Sequence, residues 1–221
     1  MTTLCIKDVI PPETMLAICG EITNVEALFS DGKFTAGWQA RHVKSNEQLP
    51  TAAALGIVTK VDQILMANLL FTSAARPKRL VNMLVSRYLP GMEYGFHVDD
   101  ALMGGVRTDM SFTLFLADQS TYDGGELIIE GNDGSTAIKL DLGSLVLYPT
   151  TTLHRVAPVT RGARLAVVGW VRSFIRSPDH RETLFDLDHA INILRHANGS
   201  RTTIDRLLKV RANLIRMWAE D

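Results

Sequence analysis

The sequence predicts an α+β fold with a mainly β core: helices first, then about eight short antiparallel strands, then helices. Two observations predict it. Apolar residues recur at helical spacing before residue 80 and after residue 174, and at period two between them. Gly, Pro, Asn and Asp turn signals also divide the middle of the chain at short intervals, the cadence of an antiparallel sandwich or barrel. The chain has 221 residues, of which 46% are hydrophobic and 21% charged. That suits one compact domain and argues against disorder. Residues 1–79 are expected as N-terminal helical support, 80–174 as the core and 175–221 as a C-terminal helical extension of the same domain.

The elements follow in order. Pro11-Pro12-Glu13 starts a helix, since proline fits the first turn and a carboxylate favours the positive end of the dipole. Met15, Leu16, Ile18, Cys19 and Ile22 continue it at helical spacing. Ser30 to Lys33 is a turn, and Phe34 to Val43 alternates weakly, as a strand would. Leu55 to Leu70 reads as a second helix. Leu80 to Tyr88 and Met110 to Leu116 are strands by their period. Asp123-Gly124-Gly125 turns into Glu126 to Glu130, and Asn132-Asp133-Gly134 is the strongest hairpin signal. Strands over Ala137 to Leu140, Ser144 to Tyr148, Thr152 to Val159 and Arg164 to Val171 complete the set, the last two joined at Thr160-Arg161-Gly162. Ser177-Pro178-Asp179 opens the helical tail, which Asn198-Gly199-Ser200 interrupts.

Charge excludes a globally basic nucleic-acid binder: 23 Lys and Arg stand against 24 Asp and Glu. No apolar run reaches the length of a membrane span. Met1 to Glu13 lacks the basic and apolar regions of a signal peptide, so a cytoplasmic location is expected. Cys5 and Cys19 form neither a metal spacing nor a disulfide framework and read as small apolar residues. Trp170 reads as core.

Of six histidines, His97 and His154 lie in the strand region. His97 and Asp99 are two apart, and in extended backbone such residues point to one side. His154 could add a third donor from a neighbouring strand. Two imidazoles and one carboxylate on one side of a cation leave the opposite positions open, the facial triad of non-haem Fe(II) oxygenases. With no thiolate in the set, a structural zinc site is less attractive. His-x-Asp alone is a weak signal. His180-Arg181-Glu182 repeats it in the helical tail, where i and i+2 diverge, so His180 reads as a surface residue. Arg164 lies ten residues after His154, just past the Thr160-Arg161-Gly162 turn, where hairpin geometry would bring it beside His154, in a run too apolar for an exposed strand. A buried guanidinium needs an anion, and its planar fork matches a carboxylate. A dicarboxylate of the shape of 2-oxoglutarate could chelate the metal at one end and pair with Arg164 at the other.

Arg87-Tyr88-Leu89-Pro90-Gly91-Met92-Glu93-Tyr94-Gly95-Phe96-His97-Val98-Asp99 resembles the iron-binding strand of Fe(II)/2-oxoglutarate dioxygenases of the prolyl-hydroxylase type. Asp123 to Leu127 resembles their Gly-Gly-Glu turn, and Leu147 to Trp170 their second-histidine and arginine hairpin. More narrowly, the chain is similar to the bacterial PKHD-type hydroxylases, often associated with iron uptake. The similarity rests on Phe29 to Gly32, Thr35 to Gly37, Val43 to Asn46, Leu184 to Asp188 and Asn213 to Trp218, and so covers nearly the whole chain. The resemblance implies a double-stranded β-helix, or jelly-roll. It implies His97, Asp99 and His154 as iron ligands and Arg164 as the 2-oxoglutarate anchor. Tyr88 would bond the same carboxylate, Thr113 would face the cosubstrate by side-chain parity, and Tyr94 would line the substrate mouth. The implied reaction couples oxidative decarboxylation of 2-oxoglutarate by O2, giving succinate and CO2, to hydroxylation of a peptidyl residue or small molecule. Ascorbate (vitamin C) would keep the metal ferrous.

Two rival functions share parts of this pattern. A metal-binding cupin-like barrel without oxygenase activity would use the triad without needing Arg164. An oxidative nucleic-acid demethylase would keep the chemistry and change the substrate. Its support is a basic tail of Arg195, Arg201, Arg206, Lys209, Arg211 and Arg216, which also reads as a solvated helix face. Ile204, Leu207, Leu214, Ile215 and Trp218 form an apolar stripe that either packs on the chain itself or joins a homodimer.

Overall fold

The structure, a computed structural model, describes residues 3–37 and 40–221. Two antiparallel sheets face each other. The larger runs from edge to edge as Leu4–Ile6, Leu145–Pro149, Met110–Phe115, Arg164–Ser173, Pro77–Tyr88, Glu47–Gln48 and Ser30–Asp31. The smaller runs as Gly134–Ile138, Leu127–Gly131, His154–Val156, Glu93–His97 and Lys44–Ser45.

Register decides which side chains meet between the sheets. Arg164 lies opposite Tyr88, Ala166 between Ser86 and Phe115, Val168 between Leu84 and Thr113, and Trp170 beside Ser111. Side chains alternate along a strand, so these residues share the inner face. The alternate set, Val85, Met110, Phe112, Leu114, Leu145, Leu147, Val167 and Val171, faces outward into a core closed by helices. Those helices are α1 (Pro12–Asn24), α2 (Thr51–Ala67) and α3 (Leu69–Ala75). Ala54, Ile57, Val61 and Leu65 bury one stripe of α2, and Phe71 of α3 meets Phe112 edge-on at 6.0 Å. Each such large apolar side chain contributes about 1.5–3 kcal/mol on burial. No single helix among the described residues is long and apolar enough to cross a membrane.

Four expectations need correction. The helix expected over Leu55 to Leu70 breaks at Asn68 with an 81° bend, and the Asn68 side chain accepts the Phe71 amide at 2.9 Å. Asparagine bonds local backbone better as a cap than inside a helix. Phe34 to Val43 is not a strand: Gly32–Thr35 and Ala40–Val43 are 3-10 turns, and Trp38 and Gln39 lie outside the described residues. The N-terminal region is not only helical support, since it adds Leu4–Ile6, Ser30–Asp31 and Glu47–Gln48 to one sheet and Lys44–Ser45 to the other. Such short strands carry no readable period. Finally, Thr160 to Gly162 does not close a hairpin. His154–Val156 and Arg164–Ser173 belong to different sheets, and Val159–Arg161 pairs with Asp123–Gly124. The chain crosses between sheets at Gly162 (φ +70°), where an added Cβ would meet the Thr121 carbonyl oxygen at 2.1 Å.

The tail forms α4 (Pro178–His196) and α5 (Arg201–Trp218). Ile204 is buried and Leu207, Leu214, Ile215 and Trp218 are half-buried, while α5 lies along α4. His180 is not a free surface residue, because its ring stacks on Trp218 at 4.0 Å. Two of the basic residues have acidic partners: Arg201 pairs with Asp205, and Arg211 with Asp188. Asp188 also receives Arg76 at 2.5 Å and Ser73 at 3.0 Å, so one carboxylate ties α5 and α4 to the end of α3.

Burial alone would raise the Asp188 carboxyl, but hydrogen bonds from Arg211 and Arg76 outweigh it and hold it below its usual value. A depressed carboxylate stabilises fully above its unfolded pKa of about 4, and the contribution is lost as pH falls through the lower folded value. Asp188→Asn is expected to cost about 2–3 kcal/mol near neutrality, below the value for a fully buried pair because the site is partly solvated. The deficit in melting temperature should hold constant from pH 8 to 5 and shrink below about pH 4. A deficit that persists undiminished at pH 3 would show that the charge does not act this way.

Candidate metal centre and cosubstrate cleft

The seven residues singled out in the sequence, Tyr88, Tyr94, His97, Asp99, Thr113, His154 and Arg164, all line one cleft between the sheets. His97 and His154 are opposite each other on adjacent strands of the smaller sheet, with ring centroids 4.3 Å apart. Asp99 follows directly after the His97 strand. Its Oδ1 lies 3.7 Å from His97 Nε2 and its Oδ2 lies 3.8 Å from His154 Nε2. One donor atom from each of the three lies within 4.8 Å of the others, so the group could hold a metal ion.

The backbone fixes which ring nitrogen faces the metal position. His97 Nδ1 lies 2.9 Å from the Gly95 carbonyl and His154 Nδ1 lies 2.9 Å from the Thr152 carbonyl. A carbonyl only accepts, so each Nδ1 carries a proton and each Nε2 is the nitrogen turned toward Asp99. Burial, and next the neighbouring His154, lower His97 to about 4, so it is neutral at physiological pH. Asp99 is oriented from the opposite sheet by Ser111, whose hydroxyl donates to Oδ2 at 2.7 Å. Thr150 lies 3.2 Å from the same hydroxyl. The Tyr94 ring stacks on His97 at 3.7 Å and 16°, which fixes the imidazole plane.

Arg164 lies at the Tyr88 end of the inner face and is 0% exposed. Its Nε, Nη1 and Nη2 have no hydrogen-bond partner among the described residues. The guanidinium carbon sits 5.3 Å from the Tyr88 ring and 5.4 Å from the Phe115 ring. Gly125 makes room for it: a Cβ there would meet Arg164 Cδ at 2.9 Å, on a backbone with φ +69°. This gives the Gly-Gly turn after Asp123 its local reason. Burial pushes the Tyr88 and Tyr148 phenols upward, so both stay protonated and able to donate. An unpaired buried guanidinium flanked by phenolic donors fits a carboxylate, and the donor set of His97, Asp99 and His154 fits Fe(II).

Some of the cleft was not singled out beforehand. Ser111 has the same parity as Thr113 in its strand and could have been found by it. Trp170 shares parity with Arg164. It is half-buried at the cleft, with Nε1 unpartnered, and is not simply core. Tyr148, Asn46 and Lys44 also line the cleft. Cys5 is exposed and Cys19 half-buried, both as free thiols away from it.

Fold and site together define a non-haem 2-oxoglutarate oxygenase. Residues 83–172 match the 2OG-Fe(II) oxygenase superfamily, and residues 179–220 match the PKHD-type hydroxylase C-terminal domain. The PKHD-type hydroxylase of Maricaulis maris (strain MCS10) is 57% identical over 87% of this chain and 89% of its own length. That of Picosynechococcus sp. (strain ATCC 27264 / PCC 7002 / PR-6) is 50% identical over 97% and 98%. The chain belongs to the PKHD-type hydroxylases, which makes it an oxidoreductase that uses Fe(II), 2-oxoglutarate and O2. The fold is similar to a Pseudomonas putida prolyl-4-hydroxylase, with TM-score 0.57 and 21% identity over 77% of this chain and 92% of that one. It is also similar to a viral collagen prolyl hydroxylase from Paramecium Bursaria Chlorella virus-1, with TM-score 0.51 and 17% identity over 78% and 97%. At these identities the likeness is one of fold, the jelly-roll.

Proposed function

We propose that His97, Asp99 and His154 ligate the ferrous ion of this hydroxylase and that Arg164 binds the distal carboxylate of 2-oxoglutarate. The observation that carries the proposal is the fully buried, unpartnered guanidinium in the same cleft as the triad. A metal-binding barrel that needed no dianion would have no use for it. When bound, iron, 2-oxoglutarate and O2 supply oxidative decarboxylation to succinate and CO2 and the oxidising equivalent that hydroxylates the substrate.

The chain's own residues do the rest. The Gly95 and Thr152 carbonyls engage both Nδ1 atoms and so turn both Nε2 atoms toward the metal. Ser111 fixes the carboxylate. Tyr88 donates beside Arg164, and Thr113 borders the cosubstrate from the strand next to that of Arg164. Tyr94 forms the substrate side of the cleft, and the packed outer face of the larger sheet keeps water from its floor. The substrate is a peptidyl residue or a small molecule that enters past Tyr94.

Anaerobic addition of Fe(II) and 2-oxoglutarate to the full chain tests this. The weak visible charge-transfer band of the chelate is expected, followed on aeration by succinate. A folded protein that binds Fe(II) but gives no band would overturn the assignment.

A further inference from the structure

The cleft holds a second buried cation. Lys44 is 5% exposed and lines the same cavity as the triad, from the short strand that pairs with Tyr94 and Glu93. Its ammonium donates to Thr35 Oγ1 at 2.8 Å and stands 5.3 Å from the centre of the Tyr94 ring, whose plane stacks on His97. Thr35 is itself held by Gln48 at 2.7 Å and by the Gly32 carbonyl at 3.0 Å. An ammonium has three donors, and a neutral hydroxyl satisfies one. No carboxylate lies within 4 Å of it among the described residues. The acids that act on it from further off are Asp99, which the metal claims, and Asp31, which is exposed. Asp100 lies at the solvent rim of the cleft.

The segment that carries Lys44 is built to sit against the metal strand. An added Cβ at Gly95 would meet Val43 at 2.8 Å, one at Gly37 would meet the Asp100 carboxylate at 2.6 Å, and one at Gly32 would meet Asn46 at 2.2 Å. The first two approaches hold this segment against the metal strand and Asp100, and the Tyr94 ring lies against both the ammonium and His97.

Charge balance says what it is for. With the reagents bound as proposed above, the two positive charges of iron and that of Arg164 match the two negative charges of 2-oxoglutarate and that of Asp99. Lys44 is left over, and a buried unpaired cation is costly without a counterion. Resting on the cosubstrate assignment, we propose that Lys44 recognises a carboxylate on the substrate, so that the molecule hydroxylated is an anion at the mouth of this cleft. Burial lowers the Lys44 pKa to about 8, which still leaves it charged at neutral pH.

The test uses the full chain loaded with Mn(II) and saturating 2-oxoglutarate, which occupies Arg164. Straight-chain monocarboxylates from acetate to hexanoate are titrated by calorimetry against their primary amides. The wild type is expected to prefer the carboxylate of the best pair by about tenfold, as a charge-assisted bond implies. In Lys44→Met that ratio falls to within about twofold of unity, and Lys44→Arg restores part of it. No preference in the wild type, no binding of any probe, or a preference that survives in Lys44→Met overturns the inference. Binding of 2-oxoglutarate to the Mn(II) protein is measured first in every variant and reports folding. Its failure in the wild type would count against the cosubstrate assignment instead.

Discussion

Replacing Arg164 by methionine is expected to weaken 2-oxoglutarate binding by about 3–5 kcal/mol, roughly a hundred- to several-thousand-fold. The reason is the setting. The side chain is fully buried, its three nitrogens have no hydrogen-bond partner among the described residues, and its neighbours include the faces of Tyr88 and Phe115. A carboxylate brought to this point loses its water, and the guanidinium fork, with Tyr88 beside it, replaces most of that hydration. Methionine fills the volume and offers nothing in return. Lysine restores charge without the planar fork, so Arg164→Lys should recover part of the loss. Fe(II) affinity should change little in either variant, because Arg164 touches no member of the triad. In the cosubstrate-free protein, methionine removes a buried charge, and the melting temperature should hold or rise. Titrating the anaerobic Fe(II) protein with 2-oxoglutarate reads the first effect, and a thermal melt reads the second. A variant with unaltered 2-oxoglutarate affinity would remove Arg164 from the site.

Much of this arrangement is legible in the sequence, for reasons that differ by residue. His97 and Asp99 share a side because extended backbone repeats every two residues. Arg164 stands out because a cation inside an otherwise apolar strand needs a counterion. The strand order behind these facts is not legible. Arg164 reaches the cleft from the sheet opposite His154, and a glycine at 162 that only a crossing demands looks in the sequence like any hairpin turn. Lys44 was hidden because a two-residue strand carries no period, so nothing local says which way its side chain points. Ser111 was hidden for another reason. A serine two positions before Thr113 has the right parity, but its role depends on Asp99 arriving from a different sheet. The Asn68 break illustrates a third limit: apolar periodicity continues through it, and only the cap chemistry of one polar residue interrupts the helix.

The triad yields its largest effect at Asp99, the one carboxylate between two imidazoles. Asp99→Ala is expected to lower Fe(II) affinity by more than about a hundredfold, the upper end of what losing a mere outer partner costs. Succinate formation should fall to background with it. The competing view is that Asp99 is a structural turn residue held by Ser111 at 2.7 Å. The two views separate in the metal-free protein. Asp99 is a carboxylate with 8% side-chain exposure, and among the described residues no Lys or Arg pairs with it, the histidines lying at 3.7 and 3.8 Å. Deleting it removes a desolvated charge, so the metal-free melting temperature should not fall, whereas a structural residue would take stability with it. Ser111→Ala supplies the scale between these limits. It leaves the carboxylate in place but frees its rotation, and about a tenfold loss of metal affinity is expected. Metal titration by calorimetry, with melts on the same metal-free samples, reads both quantities. Normal Fe(II) binding in Asp99→Ala would mean that the three donors converge without serving a common ion.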